Sequence, residues 1–483
     1  MASDTSSNSS TAHVPIAVDL DGSLVLTDTL HEAAMRLLHD KPLQVLSIPF
    51  WLMSGKAALK QTISEKTEIG AALLPYNVTL IDWLREQKKL GRKLVLCTAA
   101  DKRIAQAVAK HLNIFDQVLA SDGKTNLASR NKRILLEEQY GRGGYDYTGN
   151  SSADLEVWKG ARKGILVNTP AGVAAKAAKI TEIEKTFESP SISYSTWRNV
   201  FRVHQWLKNL LIFLPLLAAH QIGNGQSFFI LLLAFASFSL CASCVYIIND
   251  LFDLESDRQH PRKRHRPFAS GAVPIAYGIA LAPVCGLLSL LLALTVGMAF
   301  TAWLAVYFVL TCAYSWRLKR FALIDCLTLA ILYTLRIIAG AAAVAIPLSF
   351  WLLAFSVFLF LSLAFVKRYA ELLVQGSNGN SQPAGRGYYV TDAPLIQTLG
   401  TAAGYSSVLV LALYLNGETV LRLYQRPELL WGSVLLVIFW ISYIWNKAHR
   451  GQMHDDPIVF AIRDKTSWII GILFVAMFVL ATL

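Results

Sequence analysis

The sequence predicts two folds in one chain: a doubly wound α/β domain over residues 13–190, then an all-α polytopic membrane domain over residues 195–483. Three observations carry this reading. Hydrophobic residues make up 54% of the 483 positions but are unevenly spread. Residues 1–205 mix polar and apolar segments, whereas apolar stretches of membrane-spanning length recur from there to the C-terminus. Short apolar runs alternate with helical patterns in the first part, as in parallel sheets. The basic residues behind the net charge of +12 sit in alternate connections between the apolar stretches. Charge tied to span ends in this way argues against a nucleic-acid partner.

Residues 1–12 are rich in Ser and Thr and read as disordered, and no cleavable signal peptide is visible. Residues 14–20 form an apolar run ending in Asp19, Asp21, Gly22 and Ser23, the pattern of a buried parallel strand entering a glycine turn. Further strands are expected at 93–97, followed by Thr98, at 117–120, and at 145–148, followed by Gly149, Asn150 and Asp154. Such folds gather ligand-binding groups at the C-terminal ends of their strands. The groups gathered here suit phosphoryl transfer. Asp19 can attack phosphorus, and Asp21, two residues on, can protonate the leaving oxygen. Thr98 and Lys132 can neutralise phosphoryl oxygens, and Asp154 would complete a Mg²⁺ site with Asp19 and Asp21. Residues 24–90 read as a mostly helical insertion. Its apolar segment 49–53 either caps this site, touches the membrane domain or packs as an ordinary helix.

Over about residues 13–175 this pattern resembles the haloacid-dehalogenase superfamily of phosphatases. The resemblance implies that Asp19 is the nucleophile and Asp21 the acid/base, with Thr98, Lys132 and the stretch from Gly149 to Asp154 as the second, third and fourth motifs. The fourth motif usually carries an acid where this chain has Asn150. An amide ligates a metal only through its oxygen and without charge, which leaves Asp154 to carry the metal.

In the second part, spans are expected near 206–222, 227–248, 274–297, 299–314, 322–345, 348–366, 396–416, 429–446 and 467–483. Basic residues follow the second span (Arg258, Arg262, Lys263, Arg264, Arg266), the fourth (Arg317, Lys319, Arg320), the sixth (Lys367, Arg368, Arg386) and the eighth (Lys447, Arg450). The positive-inside rule puts these connections, and the N-terminal domain, on the cytoplasmic side of the inner membrane, with the C-terminus opposite. The six cysteines suggest no disulfide framework, and Cys241 and Cys244 lie within an apolar helix, where packing is the expected role.

The richest chemistry lies where the second span meets its basic loop. Asn249, Asp253 and Asp257 recur every four residues and share one helix face, with Asp250 beside them. Acids at a helix C-terminus oppose the helix dipole, so their clustering points to a bound cation. Mg²⁺ takes oxygen ligands and bridges to substrate phosphates. Asp325 begins the fifth span, and Arg336 lies eleven residues into it. An arginine inside a membrane helix faces the protein interior or a watery cavity, where it could hold a phosphate. Lys208, Asn209, Tyr314, Lys319, Lys367 and Arg368 lie at span ends on the same side. The residues His454, Asp455 and Asp456 before the last span read equally as loop-ordering or catalytic.

Residues 195–483 resemble the UbiA superfamily of intramembrane prenyltransferases, whose first motif matches Asn249, Asp250, Asp253 and Asp257. In detail they look most like the branch that makes decaprenylphosphoryl-5-phosphoribose. That likeness rests on Gln205 to Asn209, His260 to Pro267, Tyr314 to Lys319, and Lys367 to Glu371. It implies a 5-phosphoribosyl diphosphate donor, a polyprenyl phosphate acceptor, Mg²⁺ as cofactor, and a substrate site that includes Lys208, Asn209, Arg258, Lys263, Arg266, Tyr314, Lys319, Asp325, Arg336, Lys367 and Arg368. The aspartates of a second acidic motif are reduced here to Asp325. A conventional prenyltransferase using a prenyl diphosphate is the alternative. A transporter would place its polar groups at mid-membrane, whereas the acids here cluster at one surface. A homo-oligomer stays open.

Overall fold

In the computed structural model, residues 14–188, 192–221, 223–377, 386–417, 420, 424–453 and 456–482 are described. The 1–12 tail, His454 and Asp455 lie outside the described residues. The chain forms two compact units, residues 1–200 with 247–281, and residues 201–246 with 282–483. The acidic stretch around Asp253 therefore belongs to the unit that contains the sheet.

The first unit is built on six parallel strands in the order β3-β2-β1-β4-β5-β6. They are β1 Ile16–Val18, β2 Leu94–Asp101, β3 Gln117–Ser121, β4 Asp146–Gly149, β5 Lys163–Val167 and β6 Glu182–Phe187. Side chains alternate across this sheet. Ile16, Val18, Leu94, Leu96, Ile165 and Val167 join one core, while Ala17, Cys97, Tyr147 and Leu166 join another. Both faces are covered, which explains why the strands read as continuous apolar runs. Four strands were legible in advance. β5 and β6 were missed, β5 because it is short and opens on Lys163, β6 because half its positions are charged. β1 lies between β2 and β4, so the chain after β1 emerges where the strand order reverses, the crevice in which such sheets bind ligands.

Between β1 and β2 come α1 (Thr29–Asp40), a 3₁₀ turn (Pro42–Ser47), α2 (Ile48–Met53) and α3 (Lys56–Lys66). Asp28 caps α1, its carboxylate accepting from the N–H groups of Leu30 and His31. The last helix of the expected insertion, Val78–Lys89, buries Leu80, Ile81, Trp83 and Leu84 against the sheet and serves as its crossover.

Among the described residues, eight helices are long and apolar enough to cross a membrane: Gly225–Phe252, Ile275–Val296, Met298–Trp316, Ile324–Ala343, Phe350–Ser377, Val390–Leu415, Pro427–His449 and Lys465–Thr482. The first expected span, 206–222, is instead an 11-residue 3₁₀ helix, Val203–Phe213, followed by the 5-residue helix Leu214–Ala218. Pro215 stands in the first turn of that short helix, where its missing N–H costs nothing. The 3₁₀ winding rises about 2.0 Å per residue against about 1.5 Å in an α-helix, so the whole segment covers about 30 Å, the thickness of a hydrocarbon core. Close helix packing depends on small residues. A side chain on Gly400 would meet the Trp445 ring at 2.2 Å.

At the N-terminal ends of the strands, Asp146 is fully buried and holds the sheet margin together. It accepts from Arg92, from Arg162 Nε at 3.0 Å and Nη2 at 2.6 Å, and from the Lys163 N–H at 3.0 Å. Breaking a buried pair strands charge, at a cost of about 3–5 kcal/mol. Asp146→Ala is therefore expected to lower the thermal unfolding midpoint of the sheet domain by several degrees, followed by tryptophan fluorescence in detergent. An unchanged midpoint would show that the clamp is dispensable.

Candidate active sites

The turn after β1 builds the first site. Gly22 adopts φ +73°, and a Cβ there would lie 1.9 Å from Asn150 Nδ2, so only glycine lets this turn approach the β4 loop. The Asp19 N–H donates to Thr148 Oγ1 at 3.0 Å, and Lys132 Nζ donates to Asp19 Oδ1 at 2.8 Å. Lys132 also donates to Tyr147 Oη at 2.8 Å, and that hydroxyl donates to Asp154 Oδ1 at 2.7 Å. Thr98 is fully buried within β2, its Oγ1 accepting from the Ala100 N–H. Asp21 Oδ1 accepts from the Thr29 N–H at 2.9 Å, so the first turn of α1 sits on the expected acid/base. The structure thus brings Asp19, Lys132 and Asp154 into one chain of hydrogen bonds, with Asp21 at the edge of a cleft it lines with Asp28, Thr29, Lys60, Ser64 and Asp101.

Burial raises the Asp19 carboxyl to about 6, with Lys132 opposing and Asp154 adding to the rise. Burial and the neighbouring Asp28 charge raise Asp21 to about 7. Burial alone would lower Lys132, but the charges of Asp19 and Asp154 outweigh it and hold the ammonium above its ordinary value. Near neutrality Asp19 is then mostly ionised while Asp21 is partly protonated, the division that a nucleophile and a general acid need.

Asp154 is held by its own loop and by Tyr147. Its Oδ2 accepts from the N–H groups of Asn150 and Ser151 and from Ser151 Oγ, and its Oδ1 from Tyr147. With four protein donors on two oxygens, Asp154 fits a clamp on the β4 loop better than a metal ligand. Two participants were missed in the sequence. Tyr147 gave a signal as a tyrosine in a buried strand, whose hydroxyl needs a partner. Lys60 lies three residues from both Ala57 and Ile63 on the buried face of α3, and its Nζ donates to the Ala99 carbonyl at 2.7 Å. A lysine on an apolar face was the signal there.

The second site is the acidic stretch. Helix Gly225–Phe252 ends just before Asp253, and a short helix, Leu254–Gln259, follows. The Asp253 N–H still bonds the Asn249 carbonyl at 2.9 Å, and the Asp257 N–H the Asp253 carbonyl at 2.8 Å, so the four-residue spacing survives the break. Asp250 and Asp257 are buried. Arg266 Nη1 bridges them, at 3.1 Å from Asp250 Oδ1 and 2.6 Å from Asp257 Oδ2. Burial raises the Asp257 carboxyl against the pull of Arg266. Asp257 Oδ1 is buried with no hydrogen-bond partner among the described residues, an orphan acceptor suited to a hard cation. No three His, Cys, Asp or Glu side chains among the described residues are grouped as a metal cage. Lys263 lies on the 3₁₀ turn Lys263–His265. Arg258, expected to bind substrate, is committed elsewhere. It donates to both Glu32 oxygens at 2.9 and 2.6 Å and to the Ala269 carbonyl at 2.9 Å. An arginine so committed positions α1 against the acidic stretch.

In the second unit, buried Arg336 donates to Asn209 Oδ1 at 2.9 Å and to Tyr307 Oη at 3.0 Å. Lys208 and Lys367 both reach Asp456 Oδ2, at 2.7 and 3.1 Å, and Tyr333 Oη donates to the same carboxylate at 3.2 Å. Burial would raise Asp456, but the two ammonium groups hold it well below the usual carboxylate range. The Tyr333 ring lies between Lys208 and Arg336, 5.5 and 5.3 Å from their charges, which joins these residues into one cationic cluster. Asp325 is fully buried and accepts from Tyr388. It pairs with Arg368 at 2.5 Å and with Arg386 at 3.4 Å, and Arg386 also donates to Tyr314 Oη at 3.1 Å. Lys319 lies on the 3₁₀ turn Leu318–Arg320, after helix Met298–Trp316.

The UbiA prenyltransferase family matches residues 210–463. The uncharacterized protein y4nM of Sinorhizobium fredii is 38% identical over 471 residues, covering 97% of this chain and 91% of that protein. The decaprenyl-phosphate phosphoribosyltransferase of Mycobacterium tuberculosis is 32% identical over 283 residues, covering 57% of this chain and 90% of that protein. Among solved structures, phosphoserine phosphatase in its apo form is 14% identical, covers 37% of this chain and 94% of that chain, and gives a TM-score of 0.28.

The two shifted carboxyls of the first site set its pH dependence. Cleavage of a phosphomonoester is expected to fall below about 6 as Asp19 takes up its proton, and above about 7 as Asp21 loses the proton it must donate. A bell-shaped kcat/KM profile with those two limbs checks this. A profile flat between 5 and 8 would contradict it.

Proposed function

Because this chain belongs to the UbiA prenyltransferase family, we propose that its membrane domain transfers 5-phosphoribose from 5-phosphoribosyl diphosphate to a polyprenyl phosphate such as decaprenyl phosphate, releasing diphosphate. The observation that carries this reading is the commitment of Asp325 to Arg368, Arg386 and Tyr388. With that carboxylate neutralised, one acidic stretch remains for a metal-bound diphosphate, which disfavours a prenyl diphosphate donor. The likeness to the mycobacterial phosphoribosyltransferase supports the same choice.

A Mg²⁺ held by Asp250, Asp253 and Asp257, with Asn249 beside them, would supply charge neutralisation at the departing diphosphate. Lys263, Arg266 and Lys319 add cations for the donor's phosphates. Lys208 and Lys367 exchange Asp456 for a substrate phosphate, while Arg336 is held ready by Asn209 and Tyr307. The lipid phosphate oxygen attacks the anomeric carbon, the bond to diphosphate breaks, and its electron pair leaves with diphosphate. In the sheet domain Asp19 then attacks the 5-phosphate. The phosphorus–oxygen bond to ribose breaks, Asp21 gives its proton to that oxygen, and water hydrolyses the aspartyl-phosphate. The product is polyprenylphosphoryl ribose. In this reading the protein spans the inner membrane, with the sheet domain and basic connections cytoplasmic and the C-terminus opposite.

The test is purified protein in detergent with Mg²⁺, polyprenyl phosphate and radiolabelled 5-phosphoribosyl diphosphate. A labelled lipid is expected that Asp250→Ala fails to make. Asp19→Asn is expected to accumulate the phosphoribosyl lipid, and the unsubstituted protein the ribosyl lipid. Consumption of a prenyl diphosphate without any labelled lipid would move the reading to a conventional prenyltransferase.

A further inference from the structure

We propose that residues 42–53, the tip of the insertion, form a membrane-interface anchor that holds the phosphatase cleft at the bilayer surface, open to a lipid-linked phosphomonoester. The anchor stands on geometry alone, while the identity of the phosphomonoester rests on the proposed function.

The tip is two-sided. Val45, Ile48 and Trp51 pack inward on Leu37, Leu59 and Ile63. Leu43, Leu46, Phe50 and Met53 point outward, 81%, 73%, 70% and 85% exposed. Large apolar residues clustered on one outer face mark a docking surface, and an ordered element with that face lies in a lipid interface. The bilayer is the occupant because of where α1 is fastened. Glu32 is paired with Arg258, Arg36 with Glu255, and the His39 ring meets the edge of Phe252 at 6.0 Å between centroids. Phe252 is the last residue of the membrane helix Gly225–Phe252. Pro42 comes three residues after His39, so the tip starts where a membrane span ends. Lys41 and Lys56 bracket the tip, and Lys66 lies over the Trp51 ring at 5.6 Å. Cations so placed suit an anionic headgroup layer.

The same insertion walls the cleft. Asp28 and Thr29 begin α1, and Lys60 and Ser64 lie on α3, with the tip between these helices in the chain. Burying the tip in the interface therefore fixes the cleft mouth relative to lipid headgroups. A phosphate tethered to a lipid is brought to Asp21 and Asp19 without leaving the membrane.

The test uses the full chain with Phe50→Cys in a Cys312→Ser background, labelled with a bimane fluorophore. It is reconstituted in vesicles of phosphatidylcholine and phosphatidylglycerol that carry brominated acyl chains. Quenching by shallow bromines, with protection from aqueous iodide, is expected. Quenching by iodide alone overturns the anchor, as does protection from both quenchers in a dimer, which would assign the tip to a second copy. In the second arm, Leu43, Leu46, Phe50 and Met53 are changed together to Ser. Cleavage of vesicle-embedded phosphoribosyl lipid is expected to fall at least tenfold, with p-nitrophenyl phosphate hydrolysis unchanged. Equal loss of both activities, or of neither, overturns the role in presenting substrate. Bromine quenching in a protein that cleaves p-nitrophenyl phosphate but never the phosphoribosyl lipid would keep the anchor and reject the assigned substrate.

Discussion

The pairing of Glu32 with Arg258 is the constraint on which the first unit depends. Both side chains are nearly excluded from solvent, 6% and 7% exposed, so either charge alone would be heavily penalised. Together they form a two-pronged bond, with the third guanidinium face on the Ala269 carbonyl. The pair joins two chemical sites through one helix. One turn toward the N-terminus of α1, the Thr29 N–H holds Asp21. On the other side of the bond, Arg258 directly follows Asp257 of the acidic stretch. A path of one hydrogen bond, one turn of α1 and one ion pair links the expected phosphatase acid to a carboxylate of the expected transferase motif.

The same rule recurs throughout the molecule. Several cations singled out for phosphate binding rest on an internal carboxylate: Lys132 on Asp19, Arg266 on Asp250 and Asp257, Lys208 and Lys367 on Asp456, Arg368 on Asp325. In a low-dielectric setting an unpaired charge costs more than the pair returns, so these cations are ordered before substrate arrives. A phosphate then competes with a carboxylate in place. That exchange lowers affinity and rewards a ligand with two or more negative oxygens, which can replace every bond the carboxylate gives up.

The sequence made the chemistry more legible than its geometry. The strand after which Asp19 falls, the four-residue spacing of Asn249, Asp253 and Asp257, and the intramembrane Arg336 were all readable, because each follows from a local period or a hydrophobic boundary. β5 and β6 escaped because one is short and opens on a lysine and the other is half charged, so neither shows a buried-strand run. The first apolar segment was expected near 206–222, but its 3₁₀ winding leaves little trace in composition and was not foreseen. The role of Arg258 could not be read at all. Its partner is 226 residues away, and a basic loop after a span looks the same whether its arginine faces a substrate or a buried glutamate. Asp456 was balanced between two roles until its position against Lys208 and Lys367 was seen.

The measurement that tests the account most directly is a double-mutant cycle on Glu32→Gln and Arg258→Gln in the full-length protein, read as thermal stability in detergent. If the two charges hold α1 to the acidic stretch, each single change is strongly destabilising and the double change costs little more than either alone, giving a coupling of about 1–3 kcal/mol. Strictly additive effects would mean that the two charges do not act on one another and that α1 is not fastened to the acidic stretch.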